Sequence, residues 1–282
     1  MKKSFTILAL AAATGVSALA GNITVKGSDT LLILAQKWAE TYMGSHADVK
    51  ISVSGGGSGI GFAALQSQTT DLCDASRKIK PAEIQKCMIA FGGPRPTEYK
   101  VALDGLSVYV NPENSLNELT VAQVGDIFSG KITNWKEVGG PDAPITVYSR
   151  ENSSGTYEFF KEHVLKGKDF ASSAQTMPGT AAIVQAVVKD KNGIGYGGAA
   201  YGGSSKLLAI KKTDASPAIA PNEETVMNGT YPIWRHLYIY VNPALDKGDI
   251  AAYLNWIRSD DGQKYVKDIG YYPLPKNLRS GN

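Results

Sequence analysis

Side chains that carry covalent or metal chemistry are scarce in this sequence. It has three histidines, His46, His163 and His236, and two cysteines, Cys73 and Cys87. No spacing among them suggests a metal site, and none is expected. No G-x-x-x-x-G-K-[ST] loop occurs, and Gly57-Ser58-Gly59-Ile60-Gly61 does not meet the dinucleotide pattern. The turn at Ser58 lacks the second glycine of a nucleophile elbow, because Ile60 stands there. Ser129 and Lys131 form a Ser–Lys pair of a kind common by chance. The sequence points away from an enzyme and asks for no cofactor.

Charge of one sign is lacking too. Lys2-Lys3, the apolar run from Phe5 to Ala13 and the small-x-small Ala18-Leu19-Ala20 read as a secretory signal peptide over residues 1–20. The expected compartment is the periplasm. With no cysteine at the cleavage point, no lipid anchor is expected there. Removing these residues takes away Lys2 and Lys3 and no acid, which leaves 27 basic residues against 26 acidic ones and lowers the formal charge from +3 to +1. So neutral a chain offers no field for nucleic acid or an anionic membrane. Any anion must be gripped by local geometry. In an oxidising compartment the isolated cysteine pair predicts a Cys73–Cys87 disulfide, with two buried thiols as the alternative.

What is present is a repeated plan of strand, Gly/Ser turn and helix. Residues 22–26 read as a strand and 31–42 as an amphipathic helix, with Leu34, Ala35, Trp38 and Tyr42 on one face. Residues 49–53 and 60–68 repeat the plan, and a third unit runs from Thr70 to a helix starting near Pro81. Helices over 120–129, 155–165 and 180–189, with strands at 145–148 and 193–196, describe a second lobe. The alternation predicts an α/β fold with a mainly parallel sheet, and residues 21–282 fit two domains more comfortably than one. Leu106-Ser107-Val108-Tyr109-Val110-Asn111-Pro112 is echoed by Leu237-Tyr238-Ile239-Tyr240-Val241-Asn242-Pro243. Two such strands could bracket a crossover between lobes, or share only ordinary strand composition.

Three turns have the design of an anion site: Gly27-Ser28-Asp29-Thr30, Gly56-Gly57-Ser58-Gly59 and Ser153-Ser154-Gly155-Thr156. The first N–H groups of a helix have no internal partner, and the helix dipole makes that end positive. Glycine lets a ligand approach the backbone, and hydroxyls add donors. Each turn alone would be plain N-capping; three on facing lobes suggest a cleft. Arg150 stands three residues before Ser153, and Arg77 follows Ser76. Either guanidinium could fork onto a tetrahedral oxyanion.

These residues carry a family resemblance. Residues 132–140, Ile-Thr-Asn-Trp-Lys-Glu-Val-Gly-Gly, followed by 149–156, Ser-Arg-Glu-Asn-Ser-Ser-Gly-Thr, resemble the signature of periplasmic phosphate-binding proteins of the PstS type. The similarity extends to Gly193-Ile194-Gly195-Tyr196 and the stretch from Asp261 to Pro275. The resemblance implies a two-lobed, type II clamshell with a discontinuous first lobe, residues 21–106 and 237–282, and a second lobe over 107–236, joined by two hinge crossings. It also implies a phosphate surrounded by Thr30, Leu31, Ser58, Arg150, Ser154, Gly155 and Thr156. Where several relatives carry an aspartate, ungapped counting from Asp71 reaches Ser76, with Arg77 beside it. Both are expected at the ligand. The implied partners are inorganic phosphate and the permease of an ABC transporter, served by a monomer. Other oxyanions such as sulfate, molybdate or tungstate, and an exported phosphatase, are the alternatives.

Overall fold

The computed structural model describes residues 21–279. The signal peptide expected over residues 1–20 lies outside them. The first half follows the strand–turn–helix plan: β1 (Gly21–Gly27), α1 (Leu32–Ser45), β2 (Val49–Ser54), α2 (Ser58–Gln66), β3 (Leu72–Ala75) and α3 (Pro81–Phe91). Strands β2, β1 and β3 lie side by side and parallel. Alternation along β1 explains one face, since Ile23 and Val25 enter the core while Asn22 and Thr24 stay at the surface. Helix α1 covers that face with Leu34, Trp38 and Tyr42. The Trp38 ring also donates its Nε1–H to the carbonyl of Gly262 at 2.8 Å, which ties α1 to the end of the chain.

The 14-residue strand β4 (Thr97–Val110) was legible only in its second half. Beyond it come β5 (Glu118–Thr120), α4 (Val121–Phe128), β6 (Thr146–Arg150), α5 (Gly155–His163), β7 (Gln175–Met177), α6 (Gly179–Lys189) and β8 (Gly193–Gly198). Short strands β9 (Lys206–Leu207), β10 (Ala209–Lys211) and β11 (Ala218–Ile219) and helix α7 (Glu223–Met227) lead to β12 (Trp234–Val241), and α8 (Gly248–Arg258) and α9 (Asp260–Ile269) follow. The main sheet runs in the order β2-β1-β3-β12-β4-β8-β6-β7, and β11-β10-β5 form a small second sheet.

The architecture turns on β4 and β12. Residues 97–105 of β4 pair antiparallel with β12, whereas residues 106–110 pair with β8. Val101 and Ala102 belong to a core with Leu34, Trp38, Tyr253 and Leu254. Leu106, Val108 and Val110 belong to a second core with Phe128, Trp135, Phe160 and Tyr196. One strand thus passes through both cores, and the chain returns through β12, from Ile233 in the second core to Leu237 in the first. The two echoed segments end up in opposite halves. They share a local device: Asn111 and Asn242 each accept, through Oδ1, the N–H two residues on, at 3.0 and 3.1 Å, which turns the chain after its strand.

The expected disulfide is not formed. Cys73 on β3 and Cys87 on α3 are free thiols, fully buried in one apolar cluster with Phe62, Leu65 and Tyr240. Burial raises both thiols, Cys87 to about 11, so neither supplies the thiolate that disulfide exchange requires.

Candidate functional site

The three Gly/Ser/Thr turns meet between the two cores. Thr30, in the turn before α1, and Thr156, in the first turn of α5, share a 2.7 Å hydrogen bond through their hydroxyls. Ser76, just after β3, lies 3.4 Å from the Thr156 hydroxyl and 3.4 Å from that of Ser58, the first residue of α2. Gly155 presses against Ser58 and Ser76, and a side chain there would overlap the Ser58 hydroxyl. Gly57, at φ +99°, faces the carbonyl of Ser153 with no room for a Cβ. Those two glycines let the halves touch through backbone. The contact is sealed by Gly59 N–H donating to Ser153 O at 2.8 Å and by Ser153 Oγ donating to Gly56 O at 3.1 Å.

The hydroxyls in this cluster are directed. Ser58 Oγ accepts the Ser76 N–H at 3.0 Å, and Ser154 Oγ, the N-cap of α5, accepts the Tyr157 N–H at 3.2 Å. Thr156 Oγ1 accepts from Arg235 Nη2 at 3.0 Å. A hydroxyl whose oxygen already accepts from a fixed N–H is biased to donate its own hydrogen elsewhere. All of Thr30, Ser58, Ser76, Ser154 and Thr156 are buried. The first N–H groups of α5, on Gly155 and Thr156, add the donors and partial positive charge of a helix start. The cluster is a chain of hydroxyls without charge of its own, chemistry suited to a small oxyanion.

Arg150 closes one side. Its Nη2 donates to Asp29 Oδ2 at 2.6 Å and to Glu151 Oε1 at 2.8 Å, its Nε to Glu151 Oε2 at 3.1 Å, and its Nη1 to Thr180 Oγ1 at 3.0 Å. These bonds take four of the five guanidinium N–H groups and leave one on Nη1. Burial opposes the Arg150 charge, but Glu151 and Asp29 outweigh it and raise its pKa. Burial likewise works against the Glu151 charge, and Arg150 overcomes it, so that this carboxyl lies below its usual range. Asp29 also accepts the Gly56 N–H at 2.8 Å. One acid thereby orders the second turn and aligns the arginine.

Two expected residues are placed differently. Leu31 is fully buried in the first core, and its N–H is spent on Ser28 O at 3.1 Å. Arg77 does not join the hydroxyl cluster. Its Nη1 and Nη2 fork onto Glu83 at 2.8 and 2.7 Å, and its guanidinium lies 4.8 Å from the centre of the Phe62 ring.

Among the described residues no group of three His, Cys, Asp or Glu side chains is placed to hold a metal ion, and no helix is long and apolar enough to cross a membrane. A cavity of about 850 Å³ lies away from the hydroxyl cluster, lined by Val121, Leu165, Ile219 and Trp234 among others. It shares none of the clustered hydroxyl residues, and Lys166, Lys168 and Lys212 join the apolar side chains in its lining.

With this geometry in view, likeness to known proteins is specific. Residues 12–261 match the PBP superfamily domain. The chain is 37% identical over 283 residues to the phosphate-binding protein PstS of Pseudomonas aeruginosa, covering 94% of this chain and 86% of that one. It belongs to the PstS family. The PstS of Staphylococcus epidermidis is 36% identical over 266 residues, with 92% and 80% covered. Among solved structures, a protein from Clostridium perfringens assigned as a phosphate ABC transporter substrate-binding protein, with phosphate bound, superposes with TM-score 0.82 at 28% identity. It covers 90% of this chain and 100% of that one. An ABC-type phosphate transport receptor from Vibrio cholerae gives 0.71 at 27% identity, with the same coverage. The fold is the two-lobed α/β clamshell that the PstS resemblance implied.

The residue that sequence reasoning missed is Arg235. It sits inside β12, only 4% exposed, and touches both Ser76 and Thr156. Its counter-ion is Asp104 in β4, fully buried. One signal could have found them: Asp104 interrupts the apolar run Val101-Ala102-Leu103-Asp104-Gly105-Leu106, and Arg235 is the one Lys, Arg, Asp or Glu in β12. A buried charge needs a partner.

Proposed function

We propose that this chain binds inorganic phosphate between its two lobes and delivers it to the permease of an ABC transporter. The observation that carries the reading is the hydroxyl chain Thr30–Thr156–Ser76–Ser58, assembled from both halves, with Arg150 bonded to Asp29 next to Thr30. An open cleft admits the anion. Donors from both sides then satisfy its oxygens, and the closed state is favoured because only it makes both sets of contacts. Thr30, Ser58, Ser76, Arg150, Ser154, Gly155 and Thr156 are the proposed ligand residues. Binding without turnover is supported by the lack of an activated nucleophile in the hydroxyl chain, where every hydroxyl neighbours another hydroxyl, a peptide N–H or an arginine.

The lobes are proposed as residues 21–106 with 237–282, and 107–236. Support comes from the switch of β4 from β12 to β8 at Gly105–Leu106. Export through a cleaved leader, residence in the periplasm and action as a monomer complete the reading. Calorimetric titration with phosphate, arsenate and sulfate tests it. Saturable 1:1 binding of phosphate, with sulfate weaker, is expected. Absence of phosphate binding, or hydrolysis of a generic phosphate ester, would overturn it.

A further inference from the structure

Arg235 and Asp104 stand on the two strands that join the halves, and neither belongs to the three turns that form the anion cluster. Arg235 Nε and Nη2 both donate to Asp104 Oδ2, at 3.0 and 2.8 Å. Asp104 Oδ1 accepts the Ala199 N–H at 3.2 Å, which fixes the carboxylate from a third segment. The arginine is thereby held from behind, with its charge matched, and its remaining hydrogen bonds reach forward. Nη1 donates to the carbonyl of Ser76 at 2.9 Å, and Nη2 to the Thr156 hydroxyl at 3.0 Å. Ser76 follows β3 in the first half, whereas Thr156 opens α5 in the second. Phe159, one turn further along α5, lies under the same guanidinium at 5.3 Å.

We propose that Arg235, braced by Asp104, is a positioning residue that points the Thr156 hydroxyl hydrogen at the bound oxyanion and latches the two halves in the closed state. The inference rests on the reading of the cleft as an anion site. The chemistry is simple. A threonine hydroxyl has one hydrogen, and a charged donor on its oxygen leaves that hydrogen for the ligand or for Thr30. The proposed boundary at residues 236–237 falls inside β12, and Arg235 pairs in the sheet with Asp104 of the first lobe, so it moves with that lobe. When the halves part, the Arg235–Thr156 bond is lost and the Arg235–Asp104 pair remains. Closure therefore adds one charge-assisted hydrogen bond to the anion contacts, and the arginine stays prepositioned in the open form.

The experiment is a double-mutant cycle on the full mature chain, read by phosphate calorimetry and thermal melting. Arg235→Gln paired with Asp104→Asn removes both charges together, so no unpaired charge is left buried. Phosphate binding in that pair should weaken by about 10- to 100-fold. Thr156→Val, costly in the parent, should then cost little more, because the hydroxyl has already lost its orientation. A structural role alone would lower the melting temperature without this coupling. Arg235→Lys is the second variant. It retains the charge beside Asp104 but cannot fork onto both Ser76 and Thr156, and it should show the same coupling at a smaller loss. Unchanged affinity in both variants, or fully additive losses with Thr156→Val, would overturn the inference. A parent chain that binds no phosphate would instead overturn the functional reading and this inference with it.

Discussion

Arg77 and Glu83 form a two-pronged ion pair, at 2.8 and 2.7 Å, that turns the arginine next to Ser76 away from the cleft. The same carboxylate accepts the Lys80 N–H at 2.8 Å, so the pair also fixes the start of α3. Arg77→Ala should accordingly leave phosphate affinity within about twofold of the parent and cost stability of about 1–3 kcal/mol, the range for stranding a buried partner. Paired calorimetry and thermal melts separate the two quantities. A large loss of affinity in a stably folded variant would return Arg77 to the binding site.

Arg150 behaves in the opposite way. Arg150→Ala should weaken phosphate binding by about 2–5 kcal/mol, the range for truncating one partner of a buried charged pair. Asp29 and Glu151 are then left facing the cleft unpaired. Arg150→Lys should also weaken binding, because a single ammonium cannot engage Asp29, Glu151 and Thr180 together. Variants that bind like the parent would remove Arg150 from the site.

Three acids beside the cleft are engaged by arginines: Asp29 and Glu151 by Arg150, and Asp104 by Arg235. Among the described residues no N–H donates to the Ser76 hydroxyl, whose neighbours are the Ser58 and Thr156 hydroxyls at 3.4 Å, so its oxygen can accept the proton of hydrogen phosphate. Ser76→Asp places a carboxylate at that point, where it repels a fully deprotonated dianion. Sulfate binding should fall more than phosphate binding in paired titrations at neutral pH. Equal losses would mean that Ser76 does not meet the ligand proton.

Asp74 supplies a pH dependence unrelated to the ligand. It is buried in β3 with Oδ1 unpartnered, and burial pushes its pKa up to about 7. Between the unfolded carboxylate range, near 4, and about 7, the folded state binds the extra proton. Stability should therefore fall as pH rises through that window, by at most about 1.4 kcal/mol per unit. His236 works against it. Burial, with Lys100 and Lys78 nearby, lowers its pKa to about 4, so its contribution is lost on acidification from about 6.5 to 4. Asp74→Asn should remove the falling limb and expose the rising one. Melting temperatures of parent and variant from pH 4 to 8 provide the check, and parallel curves would refute the assignment.

The cysteines yield a simple count. Purified protein should show no reactive thiol while folded and two after denaturation without reductant, because Cys73 and Cys87 are buried and free. A linked Cys73–Cys87 peptide in non-reducing mass mapping would reverse that finding.

What the sequence made legible was local. The turns at Thr30, Ser58 and Ser154 declared themselves through glycine and hydroxyl residues ahead of helices, and Arg150 stood beside one of them. What stayed hidden was paired at long range. Arg235 lies 131 residues from Asp104 and has no small or hydroxyl neighbour to mark it. The fate of Arg77 depended on which face of α3 carried Glu83, a matter of packing. The first half of β4 escaped because its alternation is short: only Tyr99 and Val101 alternate with half-buried Glu98 and Lys100 before the strand becomes buried throughout. The cysteine pair was even and isolated, but compartment chemistry says nothing of the apolar shell that keeps both thiols protonated.

Strand β4, threaded through both cores, has a consequence for how the molecule melts. Hinged lobes with separate cores can unfold one after the other, giving two endotherms. Here residues 97–110 are shared, so loss of either core frays the strand that anchors the other, and its hydrogen bonds to β12 and β8 go together. The two lobes should rise and fall as one cooperative unit. On the proposed lobes, the flexibility needed to trap an anion would reside in the few backbone torsions where β4 and β12 cross between the halves, with both halves intact as they swing.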